Sequence, residues 1–339
     1  MDEERDKRIL LAHGGGGRLM GSLIATKILP RFANATLGQL ADAAAVKVGD
    51  TSVLFTTDSF VVKPLFFHGG DIGKLAVCGT VNDLAVAGAR PVALSLALII
   101  EEGFEMALLE KILDSAAEAA REAGVEIVAG DTKVVERGAA DGIFINTAGI
   151  GTRIADLSMK HIEAGDAIII NGAIGDHGMA IMSQRKGIEF DSPIQSDCAA
   201  LSPLTCAILE GTDGVRFMRD ATRGGVAAVL NEIAAGARHD IELVETQLPV
   251  NAAVQAAADM LGFDVLDIAN EGKVIIVVSQ ASAAAVLETC RAHALGRQAA
   301  VIGRVLEAAD DEAIVEMATV IGGRRVVQMP YGRELPRIC

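Results

Sequence analysis

The chain contains 339 residues, of which 51% are hydrophobic and only 3% aromatic, and it has no Trp. The length suggests two domains with enough chain to bury a sizeable core, and the small-residue-rich composition suits packed α/β layers. Its 45 acidic and 30 basic side chains give a formal charge of -15, which disfavours general attraction to nucleic acid or to an anionic membrane. We therefore expect small molecules or proteins as partners.

The start of the chain and its apolar segments predict a cytoplasmic protein. The first eight residues are charged and mixed in sign, which argues against a signal peptide. The longest strongly apolar run, residues 91–100, is too short to cross a bilayer. Five scattered cysteines without a C-x-x-C pair argue against a disulfide framework or a cysteine metal site.

Four consecutive glycines follow a histidine near the start of the chain, namely Gly14, Gly15, Gly16 and Gly17. Because glycine lets backbone amides approach an anion closely, this segment could wrap around phosphate groups. It lacks the Lys-Ser/Thr pair of a Walker A loop and contains no G-x-G-x-x-G pattern. The residues alone leave two interpretations open, a phosphate-covering loop or a flexible linker.

A small-residue-rich segment, residues 71–90, predicts a helix with two polar side chains among apolar neighbours. These are Asn82 and Asp83, and both residue types favour caps and turns over helix interiors. Their presence there indicates a functional role or a structural partner. Lys74, near the start of the same helix, either contacts a nucleotide or simply begins the helix.

Two predicted strands end in carboxylates. Residues 51–58 form a β-rich run that ends in Asp58, and Asp131 follows a strand over residues 125–129. With Asp83 they form a trio of the oxygen ligands that Mg²⁺ bound to nucleotide phosphates requires. No spacing rule brings the three together, so their convergence is an expectation.

These segments together resemble the aminoimidazole-ribonucleotide-synthetase-like superfamily of ATP-using enzymes. The resemblance covers essentially the whole chain and is carried by the glycine segment and by eight further motifs: Thr57-Asp58-Ser59, Asp71-Ile-Gly-Lys74, Val81-Asn-Asp-Leu84, Gly130-Asp-Thr-Lys133, residues 165–172, Gly175-Asp-His-Gly178, residues 219–225 and Asn270-Glu-Gly272. It implies an α/β N-terminal domain whose sheet pairs with its copy in a homodimer. It also implies an α+β C-terminal domain with helices on one face of a sheet.

The order of the predicted elements places the domain division near residue 151. We expect an N-terminal ATP-binding and dimerisation domain over residues 1–151, a C-terminal domain over 152–323 and a mobile tail over 324–339. The tail is basic, and its charged residues are Arg324, Arg325, Arg333, Glu334 and Arg337. We expect opposite charge to draw it into an acidic cleft, with Pro336 restricting its flexibility.

The last four residues, Pro336-Arg-Ile-Cys339, are similar to the end of one branch of the superfamily, the carbamoyl dehydratases of nickel–iron hydrogenase maturation. This resemblance implies that a partner carbamoyltransferase loads Cys339 with a carbamoyl group. ATP would then drive dehydration of the S-carboxamide to an S-thiocyanate, which supplies cyanide to an iron-carrying maturation complex. Cys339 would be the covalent handle for the substrate. Whether the tail enters its own subunit's site or that of a dimer mate stays open.

This chemistry gives the candidate residues expected roles. We expect Mg²⁺ to be held by three carboxylates, Asp58, Asp83 and Asp131, and ATP to be contacted by Gly14, Gly15, Gly16, Gly17, Lys74 and Asn82. Lys133 would stabilise charge on the transferred phosphoryl group or is a solvated surface lysine. Glu271 would take the amide protons or is a turn carboxylate.

Three further residues have no assigned catalytic role. Arg223 either contacts phosphate or simply precedes a helix. His13 and His177 are left out of the active set, because a lone histidine beside a turn is usually a hydrogen-bonding loop residue. Two other functions also fit the superfamily, an ATP-dependent metabolite kinase or synthetase and a non-catalytic ATP-binding scaffold.

Overall fold

The computed structural model describes residues 8–32, 34–188, 194–310, 312–332 and 337–339. The described residues form one five-stranded sheet from the first half of the chain and one seven-stranded sheet from the second half. The tail residues Arg333, Glu334 and Pro336 lie outside the described residues.

The first half builds its sheet after two short helical segments. The helices are α1 (Gly17–Leu23), α2 (Leu29–Phe32), α3 (Ile72–Val86) and α4 (Met106–Ala123), with a π-helical turn, Ile24–Ile28, between the first two. The strands are β1 (Ala44–Val48), β2 (Thr51–Phe60), β3 (Phe66–Phe67), β4 (Gly70–Asp71), β5 (Ala89–Glu101), β6 (Glu126–Val135) and β7 (Ile143–Arg153). The order is β1-β2-β7-β5-β6, and β3 pairs with β4 separately. Only β5 and β6 run parallel in this sheet.

The second half contributes the larger sheet. Its strands are β8 (Ala167–Ile170), β9 (Val215–Asp220), β10 (His239–Val244), β11 (Val274–Val278), β12 (Ala300–Glu307), β13 (Val315–Ala318) and β14 (Arg324–Val326). Its helices are α5 (Asp176–Lys186), α6 (Ser202–Gly211), α7 (Gly225–Ala237), α8 (Ala252–Leu261) and α9 (Ala283–Ala292). The strand order is β14-β13-β10-β12-β8-β11-β9. Short 3-10 turns occur at Leu11–Gly14, Leu37–Gln39, Met159–His161, Glu245–Gln247, Val265–Asp267 and Ala294–Gly296.

Helices cover both faces of the second sheet, so the expectation of helices on one face is wrong. Strand β8 is buried at every position. Ile168 and Ile170 pack in a cluster with α7 residues, whereas Ile169 packs in a cluster with α6 and α9 residues. Because successive side chains of a strand point to opposite faces, a continuous apolar strand requires cover on both sides.

Helix α3 is the element that joins the two halves. Asp71 caps its start, since Oδ1 accepts hydrogen bonds from the amides of Gly73 at 2.7 Å and Lys74 at 3.2 Å. Its small residues allow close packing, and the Gly79 backbone lies against the Phe60 ring. The helix packs on the first sheet, on α4 and on α6 and β9 of the second half. Its polar residues therefore lie between the two halves.

The end of the chain begins inside the second sheet. Strand β14 pairs with β13, and Arg324 forms ion pairs with Glu242 at 2.7 Å and Glu316 at 3.1 Å. Arg325 pairs with Asp264 at 2.7 Å. The first residues assigned to the tail are thus held by their own domain. Among the described helices, none combines the length and apolar character needed to cross a bilayer.

Candidate active site

A cavity of about 230 Å³ opens between the two halves of the molecule. Its walls are mostly charged and polar, and the ionisable residues that line it are Asp42, Asp58, Asp83, Arg219, Asp220, Arg223, Glu232, Glu271 and Cys339. Gly16 and Gly17 form part of the same wall. The acidic side chains outnumber the two arginines, so the cavity suits a ligand that carries or brings positive charge.

Burial and mutual repulsion shape the acid cluster. Burial raises the pKa of Asp83 well above its usual range, and the neighbouring Asp220 and Asp42 raise it further. Burial, followed by Asp42, raises the pKa of Asp220 to about 7. Burial also raises the pKa of Asp58. A bound cation would relieve this repulsion, because its positive charge offsets the charges of the carboxylates. Mg²⁺ favours such oxygen ligands.

The donor set fits a metal that is shared with a phosphate ligand. Within the described parts of the chain, no three His, Cys, Asp or Glu side chains are arranged to hold an ion by themselves. Asp58 and Asp83 nevertheless line one cavity and repel each other. Mg²⁺ in nucleotide sites commonly uses one or two carboxylates and completes its coordination with phosphate and water.

Glu271 is the most unusual carboxyl group of the site. Its side chain is only 3% exposed, and its Oε1 is buried without a hydrogen-bond partner. Burial raises its pKa well above the usual range, and Asp220, Asp197 and Asp58 raise it further. A buried polar atom without a partner costs free energy, so its retention beside a cavity points to a ligand-directed role.

Asn82 is absent from the residues that line the cavity. Its Nδ2 donates to the main-chain oxygens of Ala199 and Glu271, both at 3.1 Å. Its Oδ1 accepts from the Leu201 amide at 2.7 Å. Lys74 is also absent from the residues that line the cavity, and its Nζ donates to the Gly69 oxygen at 3.4 Å. Direct nucleotide contact by these two residues stays a prediction.

Asp131 and Lys133 are not brought to the cavity within one chain. They lie on β6, which is exposed along almost its whole length, and form an ion pair with each other at 2.8 Å. Strands β7 and β5 separate β6 from β2, which carries Asp58. Three strand spacings amount to about 14 Å, too far for a shared ion.

The glycine segment lies against the base of the tail. The Arg18 amide donates to the Pro330 oxygen at 3.0 Å. A Cβ atom on Gly17, whose φ is +69°, would collide with the same Pro330 oxygen, and one on Gly15 would collide with the Gly332 oxygen. Glycine is therefore required here for close approach of two backbones. Gly14 and Gly15 do not line the cavity, and the Gly14 oxygen accepts a hydrogen bond from Arg223 at 3.3 Å.

The end of the tail lies in the cleft of its own chain. The Val61 amide donates to the Cys339 oxygen at 3.1 Å, and Arg337 forms an ion pair with Asp141 at 2.7 Å. Cys339 is 9% exposed. Burial raises the pKa of its thiol to about 12, although the nearby Arg223 lowers it. The docked thiol is neutral at ordinary pH and is a weak nucleophile.

Several cavity residues had no assigned role before the structure. Arg219 links Asp42 at 3.0 Å to Glu232 at 3.1 Å, and Asp220 stands beside it at the end of β9. The motif at residues 219–225 was the available signal for Arg219 and Asp220. Asp42 and Glu232 could not be selected from the sequence, because neither residue lies in a recognisable motif.

Two family models match the chain and together cover most of it. "AIR synthase related protein, N-terminal domain" matches residues 40–153, and "AIR synthase related protein, C-terminal domain" matches residues 163–316. A carbamoyl dehydratase HypE of Rhizobium leguminosarum bv. viciae is 51% identical over 335 residues, which is 98% of this chain and 95% of that protein. The chain belongs to the HypE carbamoyl dehydratase family.

Solved structures of HypE proteins share this architecture. HypE in a HypE–HypF complex is 47% identical with a TM-score of 0.86, covering 91% of this chain and 100% of that one. A HypE structure in complex with ATP is 44% identical with a TM-score of 0.82, covering 98% and 100%. The predicted enzyme family and the two-domain fold are confirmed.

Proposed function

We propose that this HypE-family chain uses ATP to dehydrate an S-carboxamide on its own Cys339 to an S-thiocyanate. The product supplies cyanide for the iron of a nickel–iron hydrogenase during maturation. The observation that carries the proposal is the position of Cys339, which lines the same acidic cavity as Asp58, Asp83, Glu271 and the glycine segment. A substrate thiol and a nucleotide-type site thus share one small volume.

The reaction requires that the carboxamide oxygen first become a good leaving group. The carboxamide oxygen attacks the γ-phosphorus of ATP, which releases ADP and gives an iminophosphate. Loss of the phosphate with the remaining nitrogen proton then leaves the S–C≡N group. Phosphoryl transfer depends mainly on positioning and charge neutralisation. Mg²⁺ would neutralise phosphate charge, with Asp58 and Asp83 of the cavity as its carboxylate ligands.

Glu271 is proposed as the base that takes the amide protons. Its carboxyl lines the cavity with Cys339, and its Oε1 has no protein partner. The raised pKa of the buried group makes its carboxylate a stronger base than an exposed one. Arg223 also lines the cavity and is placed to hold negative charge on the phosphoryl group.

The proposed roles of Asp131 and Lys133 require a homodimer. One face of the first sheet is open and carries exposed apolar side chains, including Phe55, Ile99 and Ile150, which are 41%, 44% and 41% exposed. A second copy that covers this face would also bury β6. The Asp131–Lys133 pair would then lie at the interface between the two copies, where it can contribute to an active site of the dimer.

Loading of Cys339 requires the tail to leave the cavity. The docked thiol is buried and neutral, so a partner carbamoyltransferase cannot reach it there. We propose that the undocked tail meets this partner in the cytoplasm and that the docked tail undergoes dehydration. An iron-carrying maturation complex then accepts the cyanide.

Intact mass spectrometry tests this function against its alternatives. Protein carbamoylated on Cys339 is incubated with ATP and Mg²⁺, with Glu271→Gln as the matched variant. Loss of one water with one ATP consumed supports the dehydratase. An unchanged adduct contradicts it and supports a metabolite kinase or a non-catalytic scaffold.

A further inference from the structure

The last three residues of the chain all accept hydrogen bonds through main-chain oxygens, which are the carbonyls of Arg337 and Ile338 and the terminal carboxylate of Cys339. The Arg337 oxygen accepts from the Lys63 amide at 3.3 Å and from the Arg185 guanidinium. The Ile338 oxygen bonds to His177 Nε2 at 2.8 Å. The Cys339 oxygen accepts from the Val61 amide. All of these bonds use the tail's main chain.

Donors on two sides of the tail hold its last three residues. Arg337 adopts the left-handed backbone conformation, with φ +52°, so the tail end is not a regular strand. The oxygens of residues 337 and 339 nevertheless bond to one side, and the oxygen of residue 338 bonds to the other. Residues 61–63 provide the first side, and His177 provides the second. A one-residue slip would leave these donors facing the wrong atoms, so the pattern sets the register.

The partners of His177 define its tautomer. A carbonyl oxygen cannot donate, so Nε2 must carry the proton that bonds to Ile338. The pKa of His177 is lowered, chiefly by burial, which favours the neutral ring and leaves Nδ1 as an acceptor. Nδ1 lies 2.8 Å from the Ser196 hydroxyl, which accepts from the Cys198 amide at 3.1 Å and so has its own proton free to donate to Nδ1. Ser196 therefore fixes the donor at Nε2.

The ring and the segment it binds are enclosed by apolar residues. His177 is fully buried, and the Phe67 ring meets it edge-on at a centroid distance of 5.4 Å. Ile338 is 1% exposed in the same cluster as Met179 and Met182 of α5. If the histidine donor were lost, the Ile338 oxygen would be left buried without its bond, at a cost to docking.

We propose that residues 61–63, His177 and Arg185 form a groove that binds the last three residues of the tail through their main-chain oxygens. His177 is the positioning residue that sets the register and thereby places Cys339 at the cavity. Arg337 adds side-chain recognition, because its Nε donates to the Val61 oxygen at 2.9 Å and it pairs with Asp141. The groove accepts the thiol, carboxamide and thiocyanate forms alike. This inference rests on the proposed function only for the identity of those forms.

Alkylation of Cys339 in the full-length protein tests the groove without ATP or dehydration. The rate of iodoacetamide addition is measured by peptide mapping, with Cys290 as the internal standard because it is buried elsewhere. We expect His177→Leu to speed Cys339 alkylation about tenfold or more relative to Cys290. His177→Gln keeps an N–H donor and should stay within about threefold of the unmodified protein.

Two further variants complete the design. Ser196→Ala removes the tautomer-fixing partner and should give an intermediate rate, and it replaces His177→Leu if that variant fails to fold. His161→Gln, on an exposed turn, should change nothing. Equal acceleration of Cys339 and Cys290 would show general loosening and overturn the proposal. Unchanged Cys339 reactivity in both His177→Leu and Ser196→Ala would overturn it as well.

Tryptic cleavage after Arg337 tests whether the groove binds the tail equally well when Cys339 is unmodified, carbamoylated or replaced by Ser. The carbamoylated protein, the unmodified protein and Cys339→Ser should lose the last two residues at rates within about threefold. A much faster loss from any one form would refute main-chain recognition. If dehydration failed while these rates agreed, the groove would stand and the dehydratase proposal would fall.

Discussion

Asn82 Nδ2 donates a hydrogen bond to the main-chain oxygen of Glu271 at 3.1 Å. The bond connects α3, from the first half of the chain, to the segment of the second half that carries the proposed base. The same amide group holds Ala199 and Leu201 through two further bonds. A single buried side chain therefore aligns the two halves around the cavity.

Asn82→Ala should destabilise the protein and slow the reaction. The substitution leaves buried main-chain groups of Ala199, Leu201 and Glu271 without partners, at a cost of about 3 kcal/mol or more. Urea unfolding measures the stability, and single-turnover dehydration measures the rate. Asn34→Ala, at an exposed turn, is the control and should cost far less. Equal stability of the two variants would contradict the alignment role.

Glu271→Gln should change how stability depends on pH. The folded-state pKa of Glu271 is raised, so the folded protein binds more protons than the unfolded chain above the usual glutamate pKa of about 4.3. Stability from this group therefore falls as pH rises from that value towards the folded pKa. The Glu271→Gln protein lacks this fall. Its free energy of unfolding should therefore exceed that of the parent protein by about 1.4 kcal/mol for each unit of the pKa shift that the pH change crosses.

Urea unfolding at pH 5 and at pH 8 measures the difference between the two proteins. The exposed Glu118→Gln on α4 serves as the matched control and should show no such gain. Parallel pH profiles for Glu271→Gln and the parent protein would rule out the raised pKa.

Asp83→Asn should weaken Mg²⁺-dependent ATP binding while stabilising the fold. Burial and the neighbouring Asp220 and Asp42 raise the pKa of Asp83, so its ionised form is unfavourable in the ligand-free cavity. The amide keeps an oxygen that can accept the 2.9 Å bond from Thr56. Calorimetric titration with Mg²⁺ and ATP should show about a tenfold or greater loss of affinity, and urea unfolding at pH 8 should show a gain. Unchanged affinity would remove Asp83 from the metal site.

Ile99→Asp should convert a dimer into a monomer. The side chain is 44% exposed on β5, and a charge there disfavours burial against a second copy. Sedimentation velocity measures the mass, and Ile321→Asp, at a 92% exposed site outside the first sheet, is the control. The monomer should still protect Cys339 from alkylation but should lose dehydration. Full activity of a monomer would remove Asp131 and Lys133 from the mechanism.

Residue patterns were sufficient to predict the family, the two-domain fold and much of the cavity wall. Asp58, Asp83, Glu271 and Cys339 were predicted from their motifs, and the structure places all four around one cavity. This worked because each residue stands in a short motif that carries the family resemblance, and such local patterns do not depend on distant contacts.

Only the tertiary structure decided which local features meet. Sheet order keeps Asp131 about three strand spacings from Asp58, and nothing near either residue in sequence encodes that order. His177 contacts Ile338 across 161 positions of sequence, and Asn82 contacts Glu271 across 189. The sequence by itself determined the chemical groups and their local settings. Packing of the two halves determined their partners, because long-range contacts arise from the burial of whole faces and leave no periodic trace in sequence.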